Sequence, residues 1–271
     1  MGGQNYQKKD AIWIGDPRSL AGQVVCSQYL NFAVMGGYCR NAICFYQAHD
    51  CDVQIWARGG ATDYQGYGGH PVIVGGCLGS RFDLTCQQNY IAPDGTGGYG
   101  LGAWRGSAVS VVDPRNMPEW GSNSYLPPGT NGNEFKLRLE GGNMTGGLYC
   151  EAQPQQGGNN TYSGISQGFQ NAGNSKAQGA GYGVGFAGGW FAKFKDMHVE
   201  DCKWQFVVRG TPNKQSAMNV SLDHVQLFGP GKGLIIQNDV TGLDLKECLI
   251  NGGISGMCPR FSKDAITIVN P

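Results

Sequence analysis

The chain has 271 residues, enough for one large domain with a sizeable core. Its 20 basic and 20 acidic side chains cancel and no run of Lys or Arg occurs, which argues against nucleic acid as a partner. Glycine, at 46 residues, argues against long helices, since it costs about 1 kcal/mol relative to Ala in a helix interior; an all-β chain is expected, and charged residues at only 15% point to a surface covered by another subunit.

The first fifteen residues, MGGQNYQKKDAIWIG, hold no apolar run of signal-peptide length, and no later segment approaches the roughly 20 apolar residues of a membrane span. Synthesis in a cytoplasm without a signal peptide, and no membrane partner, are therefore expected. The ten cysteines form no Cys-x-x-Cys pair, so structural zinc is not expected. Most read as small buried apolar side chains, with the cluster Cys39, Cys44 and Cys51 the exception most open to disulfide bonding.

In chain order, CDVQIWARGG (51–60) and GSRFDLTCQQNYI (79–91) alternate with period two and read as strands. PRNMPEWGSNSYLPPGTNGN (114–133) reads as a long loop and a domain boundary, dividing the chain into 1–132 and 133–271. NEFKLRLEGGNMTGGLYCEAQ (133–153) then gives Phe135, Leu137 and Leu139 on one face, a Gly-rich bend, and Leu148 to Cys150. Residues 152–189 are poor in charge and rich in Gly, Gln and Asn; this tract is expected to be an insertion, either a surface loop or an arm on a neighbouring subunit.

After residue 189 a repeat emerges. MHVEDCKWQF from Met197, VSLDHVQLFG from Val220 and LDLKECLING from Leu243 align at intervals of 23, and a fourth row is expected at Ile266. The columns are Met197, Val220, Leu243; Val199, Leu222, Leu245; Cys202, Val225, Cys248; and Trp204, Leu227, Ile250. Each row steps three residues between its second and third apolar positions, where a flat strand would step two, so the chain turns a corner there. Short strands joined by bends, stacked about 4.8 Å apart, fit this pattern.

With this repeat, best seen in MNVSLDHVQLFGPGKGLIIQN, the chain resembles the right-handed parallel β-helix of pectate-lyase-like proteins and phage tailspikes over about residues 186–271. For residues 1–132 the alternatives are irregular rungs of the same coil or a jelly-roll or β-sandwich part. The resemblance implies a non-enzymatic bacteriophage virion protein, of capsid decoration, cement or spike type, acting as a homotrimer among other virion proteins. The alternative it allows is a polysaccharide-binding or polysaccharide-degrading β-helix protein directed at host surface polysaccharide.

Several residues could carry chemistry. Glu200 and Asp223, and Asp201 and Glu247, lie between the apolar columns; stacking every 23 residues would set the first pair about 5 Å apart and the second about 9.5 Å apart, as in retaining and inverting glycosidases. The competing reading is a solvated ladder of alternating charge, which leaves no catalytic residue assigned. Gly164-Ile165-Ser166-Gln167-Gly168 matches the serine-hydrolase elbow without its strand-turn-helix context. Two G-x-G-x-x-G matches, from Gly95 and from Gly183, lack the helix a dinucleotide site requires, so no cofactor is expected. Sequons at Asn143, Asn159 and Asn219 matter only in a glycosylating compartment. In QAHDCD, the residues His49, Asp50, Cys51 and Asp52 alternate in direction along a strand, so no metal site is expected. Trp104, Trp120, Tyr64, Tyr67 and Tyr99 sit near Gly-rich loops, where they suit a subunit interface better than a sugar platform.

Overall fold

The computed structural model describes residues 12–15, 24–25, 29–36, 43–59, 71–87, 107–112, 129–141, 146–151, 158–169, 181–210, 217–237 and 239–270. Every regular element among them is a β-strand. Among these residues no helix is long and apolar enough to cross a membrane.

The strands form two long parallel sheets. The first takes, in chain order, Ile12–Ile14, Ile43–Tyr46, Val72–Gly75, Ser107–Val112, Gly146–Glu151, Tyr182–Ala187, Trp204–Arg209, Lys232–Ile236 and Ile254–Ser255. The second takes Tyr29–Gly36, Asp52–Gly59, Arg81–Gln87, Glu134–Glu140, Thr161–Gln167 and Lys193–Glu200, after which each contribution is split by a bend. These split pairs are Val220–Asp223 with Gln226–Phe228, Gly242–Lys246 with Leu249–Asn251, and Arg260–Asp264 with Thr267–Val269.

Between the two sheets runs a third, narrow parallel ladder, linking Val25, His49, Leu78, Asn131, Gly158 and Trp190. It continues through the pairing of Gly189 and Trp190 with Ala217 and Met218, and of Ala217 with Val240. The chain passes from the first sheet to the narrow ladder, then to the second sheet, and back to the first. Each circuit lays its strands beside those of the circuit before. Because Arg81–Gln87 pairs residue for residue with Glu134–Glu140, the ladders run on through the boundary expected near residue 132.

The core lies between the sheets. Glu134–Glu140 shows how it is filled: Phe135, Leu137 and Leu139 are buried while Glu134, Lys136 and Arg138 are exposed, the alternation of a strand with one wet face. In one inward column the rings of Phe82, Phe135, Tyr162 and Phe194 stack at centroid distances of 5.2, 5.0 and 4.9 Å, close to the spacing of neighbouring strands.

Most of the described corners follow one rule. One residue takes a left-handed backbone and the residue after it points into the core. Examples are Asp50 before Cys51, Gly79 before Ser80, Asn159 before Asn160, Asp196 before Met197, Asp201 before Cys202, His224 before Val225 and Glu247 before Cys248. The left-handed residue bends the strand and turns outward together with its predecessor, so inward positions on either side lie three apart. The gap between Leu245 and Cys248 is such a corner, with Glu247 at φ 50. Left-handed backbone costs most L-residues about 1–2 kcal/mol, and Gly, Asn, Asp and His tolerate it best, which accounts for the polar corners.

Two expectations are corrected. The interval of 23 holds between Val220–Leu227 and Leu243–Ile250, where Leu222 pairs with Leu245 and Leu227 with Ile250. In the circuit before, however, Leu222 pairs with Phe194 and Leu227 with Val199, an interval of 28, so Met197 takes the place assigned to Cys202. In the circuit after, Leu243 pairs with Phe261 and Ile250 with Ile268, an interval of 18. Ile266 therefore follows Cys248 in its column and not Leu243.

The second correction concerns 152–189. Two strands of the sheets lie inside it, Thr161–Gln167 and Tyr182–Ala187, with Tyr162, Ser166, Val184 and Phe186 buried. Glycines dilute the alternation there, and Gly164 and Gly183 have a packing reason. Gly164, at φ 106, lies at a register shift in its strand, and a Cβ on it would sit 2.0 Å from the Leu137 carbonyl oxygen.

Candidate functional site

The corner rule decides which charged residues meet. One column of corners consists of Asp196, His224, Glu247 and Ala265, all with left-handed backbone. A second, at the other end of the same strands, consists of Gly168, Asp201, Gly229, Gly252 and Asn270. Asp201 and Glu247 thus stand on different corners and do not face one another across a single cleft.

Glu200 and Asp223 also part. Glu200 neighbours Gln167 and Phe228, whereas Asp223 neighbours Lys195 and Lys246. The stacking that would have set Glu200 and Asp223 about one strand apart assumed the 23-residue interval, which the 28-residue circuit replaces.

What assembles instead is a polar patch on the first corner. His224 Nδ1 lies 2.8 Å from an Asp223 carboxylate oxygen, and its Nε2 pairs with the Glu247 carboxylate of the next circuit. Lys246 Nζ lies 3.8 Å from Asp223 and 3.9 Å from Glu247. On the second sheet's outer face His198 Nε2 meets Glu200 at 3.0 Å, and its ring lies 5.2 Å from that of Phe228. Asp223, Glu247 and Glu200 therefore each sit against an imidazole, and Asp201 forms a bend. All these groups are at least partly exposed, and each such pair contributes about 0–1 kcal/mol.

The hydrolase-like Ser166 lies in the core. Its Oγ donates a 2.8 Å hydrogen bond to the Gly183 carbonyl oxygen, and no solvent reaches it. Gly183 and Gly185 belong to the strand Tyr182–Ala187; a Cβ on Gly183 would lie 2.2 Å from a Val199 methyl, so close packing accounts for that glycine. The match from Gly95 and the aromatics Trp104, Trp120, Tyr64, Tyr67 and Tyr99 lie outside the described residues, as does Asn143. Of QAHDCD, Asp50 forms a corner, Cys51 is disulfide-bonded, and Asp52 lies 3.8 Å from Arg81.

A polar feature that periodicity did not reveal sits at the corner between the narrow ladder and the second sheet. Backbone N–H groups of successive circuits donate to the side chain beneath them: Cys51 to Ser80 Oγ at 3.1 Å, Ser80 to Asn133 Oδ1 at 2.9 Å, and Asn133 to Asn160 Oδ1 at 3.0 Å. Asn133 Nδ2 donates to the Cys77 carbonyl oxygen at 2.8 Å and Asn160 Nδ2 to that of Thr130 at 2.9 Å. Bends take these amides out of the ladders, and a buried amide without a partner is costly, so the side chains replace the missing acceptors. The sequence signal was a polar residue directly after the left-handed Gly79, Gly132 and Asn159.

No protein-family model, no curated protein and no solved structure matches the chain.

Proposed function

We propose that the chain is a right-handed parallel β-helix with a structural role: a bacteriophage virion protein of capsid-decoration or spike type that assembles as a homotrimer and performs no bond chemistry. The observation that carries this reading is the contrast between the outer faces of the two sheets. The second sheet turns charge outward, with Arg81 3.1 Å from Glu134 and Lys136 3.6 Å from Asp83. On the first sheet the outward residues are largely apolar or aromatic.

There Cys44, Tyr46 and Ile73 form a second buried cluster on the outer side. Tyr149, Tyr182, Trp204 and Ile235 are half-buried, and Trp13 remains 43% exposed with its ring edge on Tyr46, 5.4 Å away. A sheet apolar on both faces is suited to packing on both, and Trp and Tyr are enriched where subunits meet. A trimer is what the resemblance to phage tailspikes implies.

Mass in solution together with cofractionation on purified virus particles tests the reading. Three chains per assembly and cofractionation are the expected results; a monomer absent from every particle would sink it. A capsule-depolymerisation assay of the wild type beside Asp201→Ala and Glu247→Ala covers the polysaccharide alternative, which gains only if the wild type degrades capsule and a variant does not.

A further inference from the structure

One inward column of the second sheet runs the length of the stack. Among the described residues it starts at Leu30, passes through Phe82, Tyr162, Phe194 and Leu245, and ends at Lys263. Leu245 is buried in this column, whereas its neighbour Lys263 is exposed. Its Nζ lies 5.0 Å from the centroid of the Phe261 ring, on the core side of the strand, while Ser262 turns the other way and donates to Asp244 at 2.6 Å. Among the described residues Lys263 has no carboxylate partner.

The half-buried apolar residues that pack against the core gather at the two ends of the stack, with Ile12, Leu30 and Phe32 at one end and Ile254, Phe261 and Ile266 at the other. Among the described residues the outermost strands, Tyr29–Gly36 and Arg260–Asp264, each pair on one side only, so a second copy set head to tail would repeat the internal pairing. Such a junction would lay Leu30 of the second copy on Lys263. An ammonium group carried into an apolar core without a partner is strongly disfavoured, and an inward-pointing charge on a terminal strand is one of the devices that prevent edge-to-edge association.

We infer that Lys263 is an end stop: it closes this face of the stack to a second copy and leaves side-by-side contact as the route of self-association. The inference stands on the column itself and does not depend on the virion reading.

Sedimentation velocity over a wide concentration range, with electron microscopy of the same samples, tests it on the wild type, Lys263→Leu, Lys263→Met and Lys263→Arg. The wild type and Lys263→Arg are expected to keep one sedimentation coefficient. Lys263→Leu and Lys263→Met are expected to grow with concentration into rods whose masses are multiples of the wild-type assembly, with circular dichroism unchanged. Wild-type rods would overturn the inference, as would apolar variants that sediment like the wild type or form only amorphous aggregates. A wild-type trimer or monomer leaves this comparison intact, so the virion reading fails or survives separately.

Discussion

The ring of Tyr162 lies on the ring of Phe194 from the next circuit, with centroids 4.9 Å apart and planes 16° from parallel. Phe194 also takes the edges of Phe186 and Phe206 at 5.7 and 4.8 Å, so it joins the aromatic column to the first sheet.

Phe194→Ala should therefore lower unfolding free energy by about 3–5 kcal/mol, the usual cost of a cavity left by a buried aromatic side chain. Phe194→Leu should cost less, about 1.5 kcal/mol, because Leu222 and Leu245 already fill this column in later circuits. Urea midpoints of the three proteins check the order.

Asn133 serves three partners at one bend: it accepts from Ser80 and donates from Nδ2 to the Cys77 carbonyl oxygen and to Asn160 Oδ1. Asn133→Ala should cost about 1–3 kcal/mol for each buried group left unpaired. Asn133→Asp restores the acceptor but not the Nδ2 donor, so it too should be destabilising. Thermal unfolding followed by circular dichroism would show whether either variant melts with the wild type, which would contradict this account.

Two of the corners carry apolar residues poorly suited to left-handed backbone, Phe191 at φ 55 and Ala265 at φ 50, both exposed. Phe191→Gly and Ala265→Gly should each raise stability by about 0.5–1 kcal/mol, since Gly adopts this conformation without a Cβ clash. Gly164→Ala should do the reverse and lower the yield of folded protein, because the added methyl would strike the Leu137 carbonyl.

Burial pushes the thiols of Cys77, Cys150 and Cys202 up to about 12 from an ordinary value of 9.0, and that of Cys86 further still. Above the ordinary value the unfolded chain loses these protons while the folded chain keeps them, so the folded state binds more protons and stability must fall as pH rises from about 9 to about 12. Urea midpoints should decline across that range. Replacing Cys77 with Ala or Val should flatten the decline. In native protein at pH 8 these thiols should resist alkylation and react only after denaturation.

Part of this arrangement was legible in the residues themselves. The step from Leu245 to Cys248 marks a bend because a strand alternates with period two and a left-handed residue adds one outward position; no neighbour is needed to see it. The alternation of Phe135, Leu137 and Leu139 likewise fixed a strand and its buried face. Strands inside 152–189 were hidden because Gly164, Gly183 and Gly185 contribute no apolar side chain, although Tyr162 and Phe186 lie in the core.

Which circuit lies on which was not legible. The segment Lys193–Trp204 carries two corners of identical pattern, Phe194 to Met197 and Val199 to Cys202, and either matches Leu222 to Val225 by residue type. Only hydrogen bonding between whole strands selects the first, and the intervals of 28, 23 and 18 follow from connections whose lengths are free to vary without altering the stacked strands. The same holds for the candidate carboxylates. Sequence alone determined that the corners would be polar and the strands amphipathic, since those are local requirements of backbone and solvent. The tertiary register decided that Glu247 meets His224 while Asp201 belongs to another corner, because contact across circuits depends on pairing partners that the local chain does not contain.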